Sequence, residues 1–318
     1  MPKSQAERGA TMRLYRGLPA AADRPVALTI GNFDGVHRGH QAMLTRLIEA
    51  AEDLALVSAV MTFDPHPREF FAPGSAPPRL ANLRAKLECL RAFRIDRVYI
   101  ARFNAKLATL SAEAFIEQVL VSRLAVRWVL VGDDFRFGKG RAGDLATLRA
   151  HAKTFSVEAM ATVAIEGERA SSTAVREALG RGDIEHAKAL LGRPYAIAGR
   201  VVHGEKLGRK LGFPTANIAL RRMPALSGIF AVNVHGLPGG VRSGVASVGV
   251  RPTISDEGKP VLEVYLFDFD APIYGKRLVV EFLHKLRDEA RYPDLDTLTT
   301  QIRTDVANAR DYFARRAA

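Results

Sequence analysis

The chain has 318 residues, 47% apolar and 25% charged, with a formal charge of +12 and a single cysteine, Cys89. This is the balance of a soluble globular protein; it excludes an internal disulfide framework, disfavours a thiolate metal site, and offers no apolar run of the ~18 residues that a membrane span needs. The excess charge fits a solvated basic surface, nucleic-acid binding or a polyphosphate site, but the basic residues are dispersed with no aromatic-interleaved ribbon, so no nucleic-acid or membrane partner is expected.

Residues 1–11 are basic without an apolar core and read as a loose extension rather than a secretory signal, with Met12 an alternative start. One cysteine fits a reducing, cytoplasmic location. Val26–Ile30 predicts a strand, and Leu44, Leu47, Ile48 and Ala51 fall at helical spacing within 41–54. A second strand is expected over 55–63, a helix over 80–93 and a strand over 98–101. Ser111 caps a helix that runs to Arg123, with Glu113 in its first turn. Trp128–Gly132 is a fourth strand and 145–154 another helix. Strands alternating with helices predict a parallel sheet covered on both faces.

The pattern changes near Leu190. Helices over 173–179 and 184–190 lead to Gly192-Arg193-Pro194, and strands follow over 195–203, 229–235, 245–250, 261–269 and 277–283. Turns such as Leu237-Pro238-Gly239-Gly240 separate them, and a last helix over 295–312 closes the run. Short strands at this spacing predict an antiparallel sandwich or barrel.

Gly31-Asn32-Phe33-Asp34-Gly35-Val36-His37-Arg38-Gly39-His40 follows the first strand and opens the first helix. Small residues let the backbone approach a phosphate there, and the helix N-terminus supplies free N–H groups. His37 and His40, three apart, share one side of the first turn and can donate hydrogen bonds to one polyphosphate as charge grows at phosphorus. Ser172 and Thr173 open a later helix, where hydroxyls cap and bind phosphate oxygens, and Arg176 adds positive charge. Asp133 and Asp134 follow the fourth strand; one of them at most is expected to help hold Mg²⁺.

In the second half, Gly204-Glu205-Lys206-Leu207-Gly208-Arg209-Lys210-Leu211-Gly212-Phe213-Pro214-Thr215-Ala216-Asn217 is glycine-rich and basic. It is no Walker loop, and no G-x-x-x-x-G-K-[ST] occurs anywhere, so a P-loop kinase is excluded at the motif level. In extended backbone Thr215 and Asn217 point the same way. One Mg²⁺ could take the Thr215 hydroxyl, with Asn217 beside it on metal or phosphate, although composition alone favours a mobile surface hairpin.

The G-N-F-D-G-V-H-x-G-H run, Thr62-Phe63-Asp64-Pro65-His66-Pro67, Gly132-Asp133-Asp134-Phe135 and Ser171-Ser172-Thr173-Ala174-Val175-Arg176 together resemble the adenylyltransferase half of the bacterial bifunctional riboflavin kinase/FAD synthetase family. The 204–217 stretch, Val248-Gly249-Val250-Arg251-Pro252-Thr253, Leu262-Glu263-Val264-Tyr265, Tyr274-Gly275-Lys276-Arg277 and Leu286-Arg287-Asp288-Glu289 resemble its kinase half. The resemblance spans nearly all of 12–313.

It implies an α/β fold: a Rossmann-like parallel-sheet H-x-G-H nucleotidyltransferase domain over 12–188, then an antiparallel β-barrel kinase domain with a C-terminal helix over 189–318. It implies ATP, riboflavin and FMN as substrates, FAD as product and Mg²⁺ in both steps. His37 and His40 become catalytic, with Gly31, Phe33, Asp34, Gly39, Ser172, Thr173 and Arg176 on ATP. Phe63, Pro65, His66 and Asp134 contact flavin, although relatives often carry Asn where Asp134 stands, which leaves that contact open. In the kinase half it implies Gly204, Lys206, Gly208, Gly212, Thr215 and Asn217 on ATP and metal, Glu263 as general base, and Arg287 and Asp288 closing the flavin site. The rival readings are one activity beside a degenerate half, and a flavin- or RNA-binding regulator without turnover.

Overall fold

The computed structural model describes residues 12–204, 207–250 and 260–317. The expected extension over 1–11, Lys206 of the glycine-rich loop and Arg251-Pro252-Thr253 lie outside these described residues. The chain divides into two compact units: one holds residues up to Pro77 and Ala81–Ser171, the other Pro78–Leu80 and the chain from Ser172 onward.

The first unit contains β1 (Arg13–Arg16), β2 (Val26–Ile30), α1 (Arg38–Asp53), β3 (Val57–Asp64), α2 (Pro67–Phe71), α3 (Leu83–Ala92) and β4 (Arg97–Arg102). It continues with α4 (Ala105–Ala108), α5 (Ala112–Phe115), β5 (Val126–Gly132), α6 (Leu145–His151), β6 (Ser156–Met160) and the short hairpin β7 (Ala164–Ile165) and β8 (Glu168–Arg169). Six strands form one parallel sheet in the order β1-β4-β3-β2-β5-β6. All five residues of β2 are buried, as expected of a central strand covered on both faces.

Alternate side chains of the sheet feed two cores. Leu28, Met61, Tyr99 and Val129 pack with Phe115, Ile116 and Leu120 on one face, while Ala27, Val60, Val98 and Leu130 pack with Leu44, Leu47 and Leu90 on the other. Leu44 and Leu47 are fully buried, contributing about 1.5–3 kcal/mol each. Ser111 caps α5 as its sequence predicts, with its side chain accepting from the Ala114 amide. Beyond Phe115 the helix loosens into a π-helix over Ile116–Arg123.

The second unit opens with α7 (Ser172–Arg181) and α8 (Ile184–Leu191), followed by β9 (Tyr195–Val202), α9 (Leu207–Lys210), β10 (Thr215–Ala219), β11 (Gly228–His235), β12 (Arg242–Val250), β13 (Pro260–Leu266), β14 (Arg277–Arg287) and α10 (Leu295–Ala317). Asp183 caps α8, and Gly192 ends it in the left-handed conformation at φ 71°. The six strands close into an antiparallel barrel in the order β10-β13-β12-β11-β14-β9. Closure removes the open edges that a sandwich of the same strands leaves. Leu262, Val264 and Leu266 are buried from β13, with Ile218, Phe230, Val248 and Phe282 from its neighbours. Around the buried Ala309, Val306, Tyr312 and Phe313 of α10 pack with Ala231, Val245, Tyr265 and Phe267.

Candidate active sites

The chain reverses direction across the parallel sheet at β2. Strands β3, β4 and β1 lie to one side and β5 and β6 to the other. Connections leaving β2 and β5 therefore diverge, and open parallel sheets bind ligands at the carboxyl ends of such strands. A cleft opens there. Gly31 and Phe33 line it after β2, with His37, Gly39 and His40 at the start of α1. Asp133 and Asp134 after β5 line it too, as do Thr162 and Arg169 further along the chain.

The turn beneath the cleft is strained. Phe33 (φ 48°) and Val36 (φ 44°) adopt left-handed backbone on either side of Gly35 (φ 79°). Such a conformation costs about 1–3 kcal/mol at a residue other than glycine, most clearly at a β-branched one. Both side chains are fully buried, and burial contributes about 1.5–3 kcal/mol each, enough to offset the strain.

His37 is the N-cap of α1: its Nδ1 accepts the His40 amide at 3.4 Å. An accepting Nδ1 puts the proton of the neutral ring on Nε2, which is then a donor. The two imidazoles stack with centroids 3.7 Å apart, and Phe33 packs on His40 at 4.9 Å. Burial, with neighbouring His37 and the Lys86 ammonium adding to it, holds His40 well below the usual histidine range. His40 is therefore neutral at pH 7, and no acidic side chain occupies the first turn of α1 to oppose an anion. Gly39 is required by space: an added Cβ would lie 2.9 Å from the Ala170 carbonyl oxygen.

Other expected residues are placed differently. Asp34 is 4% exposed, does not line the cleft, and accepts the Ala81 amide at 3.1 Å. Phe63, Pro65 and His66 lie at or just past the end of β3 and are also absent from the cleft wall. Phe63 packs edge-on to Phe103 at 5.7 Å, and His66 caps α2 by accepting the Arg68 amide at 3.1 Å. Asp134 pairs with Arg169 at 2.7 Å, and Asp133 accepts from the Thr162 hydroxyl at 3.4 Å. Thr162 and Arg169 belong to no motif in the sequence; the Glu166-Gly167 turn is the signal for the hairpin that carries Arg169. Ser172, Thr173 and Arg176 belong to the second unit, on α7. There Arg176 donates to the Pro78 carbonyl at 2.7 Å and to the Ser172 carbonyl at 3.1 Å.

In the barrel, strand register assembles the second site. Antiparallel pairing of β10 with β13 sets Thr215 opposite Tyr265 and Asn217 opposite Glu263. Period-two alternation sends Leu262 and Val264 inward, so Glu263 is half-buried on the other face. Gly204 lies so close to Asn217 that an added Cβ would sit 2.6 Å from its amide nitrogen. A Cβ at Gly208 would meet the Phe213 carbonyl, with the Thr215 hydroxyl 3.4 Å away. Gly212 takes φ 86° in the turn between them. Arg287 grips both carboxylate oxygens of Asp305, at 2.8 and 2.7 Å. Asp288 is exposed and pairs with Lys285 at 2.6 Å.

Among the described residues no group of three or more His, Cys, Asp or Glu side chains could hold a metal. Magnesium needs no such cage: it keeps waters and takes few protein oxygens beside substrate phosphates. The Thr215 hydroxyl and Asn217 amide, in a cradle that a Cβ at Gly204 or Gly208 would fill, fit that demand.

The parallel sheet with an H-x-G-H turn at its switch point defines a nucleotidyltransferase unit, joined in one chain to a barrel with a glycine-cradled Thr–Asn pair. Residues 20–174 match the family model for FAD synthetase, and residues 191–313 that for riboflavin kinase. A bifunctional riboflavin kinase/FMN adenylyltransferase of Haemophilus influenzae is 47% identical over 95% of this chain and 99% of its own length. Its counterpart in Pseudomonas fluorescens is 49% identical over 94% of this chain and 97% of its own. A crystal structure described as a macrolide-efflux protein from Streptococcus pneumoniae is similar with a TM-score of 0.78 at 27% identity, covering 93% of this chain and 97% of that one. Among the described residues no helix is long and apolar enough to cross a membrane. The chain belongs to the bifunctional riboflavin kinase/FMN adenylyltransferase family.

Proposed function

We propose that the two activities divide between the two sites. The barrel transfers the γ-phosphoryl group of ATP to the 5′-hydroxyl of riboflavin, giving FMN and ADP. The sheet unit transfers AMP from ATP to FMN, giving FAD and pyrophosphate. One observation carries the kinase assignment: Glu263 stands directly across the ladder from Asn217. A carboxylate there takes the proton of the attacking hydroxyl while the neighbouring amide and the Thr215 hydroxyl hold the phosphates and magnesium. Bound at Thr215 and Asn217, magnesium supplies neutralisation of phosphate charge and alignment of the terminal phosphoryl group. Gly204, Gly208 and Gly212 let the loop backbone approach the triphosphate, with Lys206 adding charge. Arg287 and Asp288 border the flavin.

In the sheet unit, the Nε2–H of His37 donates to a non-bridging α-phosphate oxygen, and neutral His40 braces it by stacking. Gly31, Phe33 and Gly39 shape the turn that admits ATP, and Asp34 holds that turn through Ala81. Ser172, Thr173 and Arg176, at the start of α7, are proposed as phosphate-binding residues. Phe63, Pro65, His66 and Asp134 bound the flavin side. Among the described residues of the sheet unit no side-chain cluster forms a metal cage, and the ion is proposed to arrive with the triphosphate. The functional boundary is placed at 188/189, and the single cysteine supports a cytoplasmic setting.

The test is incubation with riboflavin, ATP and Mg²⁺ while FMN and FAD are followed over time. FMN appearing first and FAD second, each dependent on ATP, is expected. FMN accumulating without FAD, or no pyrophosphate from ATP plus FMN, overturns the assignment for the sheet unit.

A further inference from the structure

Lys86 lies on α3, a helix whose sequence reads as an ordinary amphipathic one. Yet its side chain is 7% exposed. Its ammonium donates to the Asn32 carbonyl at 2.6 Å and to the Thr62 hydroxyl at 3.2 Å. The Thr62 hydroxyl, itself buried, donates to the same carbonyl at 3.1 Å. Two donors thus converge on one main-chain oxygen from α3 and β3. That oxygen belongs to the peptide leading into Phe33, the first left-handed residue of the strained turn. At the far end, Gln41 donates to the Val36 carbonyl at 2.9 Å. The turn is therefore held at both ends by side chains from outside it.

We propose that Lys86 is a positioning residue for adenylyl transfer: by clamping the Asn32 carbonyl it holds Phe33 in left-handed backbone, and the Phe33 ring seats His40 and, through it, His37. Each link is a direct contact, from Asn32 to Phe33 along the chain, from Phe33 to His40 at 4.9 Å and from His40 to His37 at 3.7 Å. A hydrogen bond from a charged donor is stronger than one from a neutral group, which suits it to restraining a strained turn. The ammonium also lies close enough to disfavour protonation of His40. Released, the turn relaxes toward right-handed backbone and the imidazole pair loses its seat. The proposal rests on reading this cleft as the adenylyltransferase site.

The test compares Lys86→Met and Thr62→Val with the full-length wild type. FAD formation from FMN is measured as separate kcat and KM values for ATP and FMN, and the histidine imidazole signals are followed by NMR. FMN formation from riboflavin is the internal control. For Lys86→Met we expect kcat for FAD formation to fall at least tenfold, with KM for ATP within about threefold. The His37 and His40 signals shift, and riboflavin phosphorylation is unchanged. Thr62→Val, which removes one of the two donors at nearly constant volume, gives the same pattern to a smaller degree. A loss confined to KM for ATP makes Lys86 a substrate-binding charge and overturns the proposal. So does an unchanged kcat with unmoved histidine signals in both variants. If Lys86→Met does not fold, Thr62→Val decides alone. If the wild type forms no FAD, the reading of the cleft fails, while the histidine signals still report on the clamp.

Discussion

The two units build their candidate sites by different means. The parallel sheet brings its residues together at strand ends, so the site depends on the shape of a turn: Gly31 to His40 must bend through Phe33 and Val36 in left-handed backbone. The barrel brings its residues together along strands, so the site depends on register: Asn217 faces Glu263 because β10 and β13 pair without a slip. A turn is damaged by adding atoms or removing an anchor, whereas a ladder is damaged by changing one side chain in a row. Mutations should therefore separate the two activities and fail in recognisably different ways.

The largest expected effect is the loss of one activity alone. His37→Ala should reduce FAD formation by roughly 10²–10³, equivalent to about 3–4 kcal/mol, and leave FMN formation intact. Glu263→Ala should give the reverse. Because His37 also caps α1, alanine carries a further cost of about 1 kcal/mol in stability. His37→Asn retains a capping side chain, so it should melt like the wild type yet remain inactive in FAD formation. Parallel loss of both activities in assays of either variant would contradict separate sites.

Next in size, Asn217→Ala should lower riboflavin kinase activity by about 10–100-fold and raise the Mg²⁺ concentration for half-maximal rate. A Mg²⁺ titration of FMN formation checks this, and an unaltered titration midpoint counts against metal or phosphate contact there. A smaller effect is expected from Gly39→Ala. Its new Cβ would press on the Ala170 carbonyl at 2.9 Å, costing about 1–3 kcal/mol. Thermal melting should show that loss, and FAD formation should fall while kinase activity persists.

The smallest effect is a pH dependence. His40 is held neutral in the folded chain, below its unfolded value near 6.5. Above that value both states are neutral and His40 contributes no pH dependence. As pH falls below it the unfolded chain takes up a proton that the folded chain refuses, so stability declines. His40→Gln should therefore show a smaller drop in melting temperature between pH 7.5 and pH 5.5 than the wild type. An equal drop would assign the acid sensitivity to other groups.

Central elements were legible in the sequence because they are apolar and periodic. Val26–Ile30 emerges with its expected boundaries, and α1 lies within three residues of its expected start. Edge strands were not legible: β1 is Arg13-Leu14-Tyr15-Arg16 and β6 has no fully buried residue, so neither carries an apolar run. β10 read as a loop motif because its five residues begin in a polar Thr-Ala-Asn. Glu263 stands between the apolar Leu262 and Val264 in the sequence, and the ladder sends those two neighbours to the opposite face. The H-x-G-H pair could be placed at the start of the first helix because it follows a strand and a glycine-bearing turn. The capping work of His66, the Asp34–Ala81 bond and the burial of Lys86 could not, because each depends on residues brought together only by the fold.

The grip of Arg287 on Asp305 has a consequence for how the barrel is made. Arg287 ends the last strand, but its carboxylate partner lies 18 residues further on. Without that helix the barrel would carry a guanidinium stripped of its Asp305 partner and an uncovered apolar strip at Ala231, Tyr265 and Phe267. The closing helix thus finishes the kinase unit: a chain truncated just after β14 would present every strand of the barrel without its outer seal.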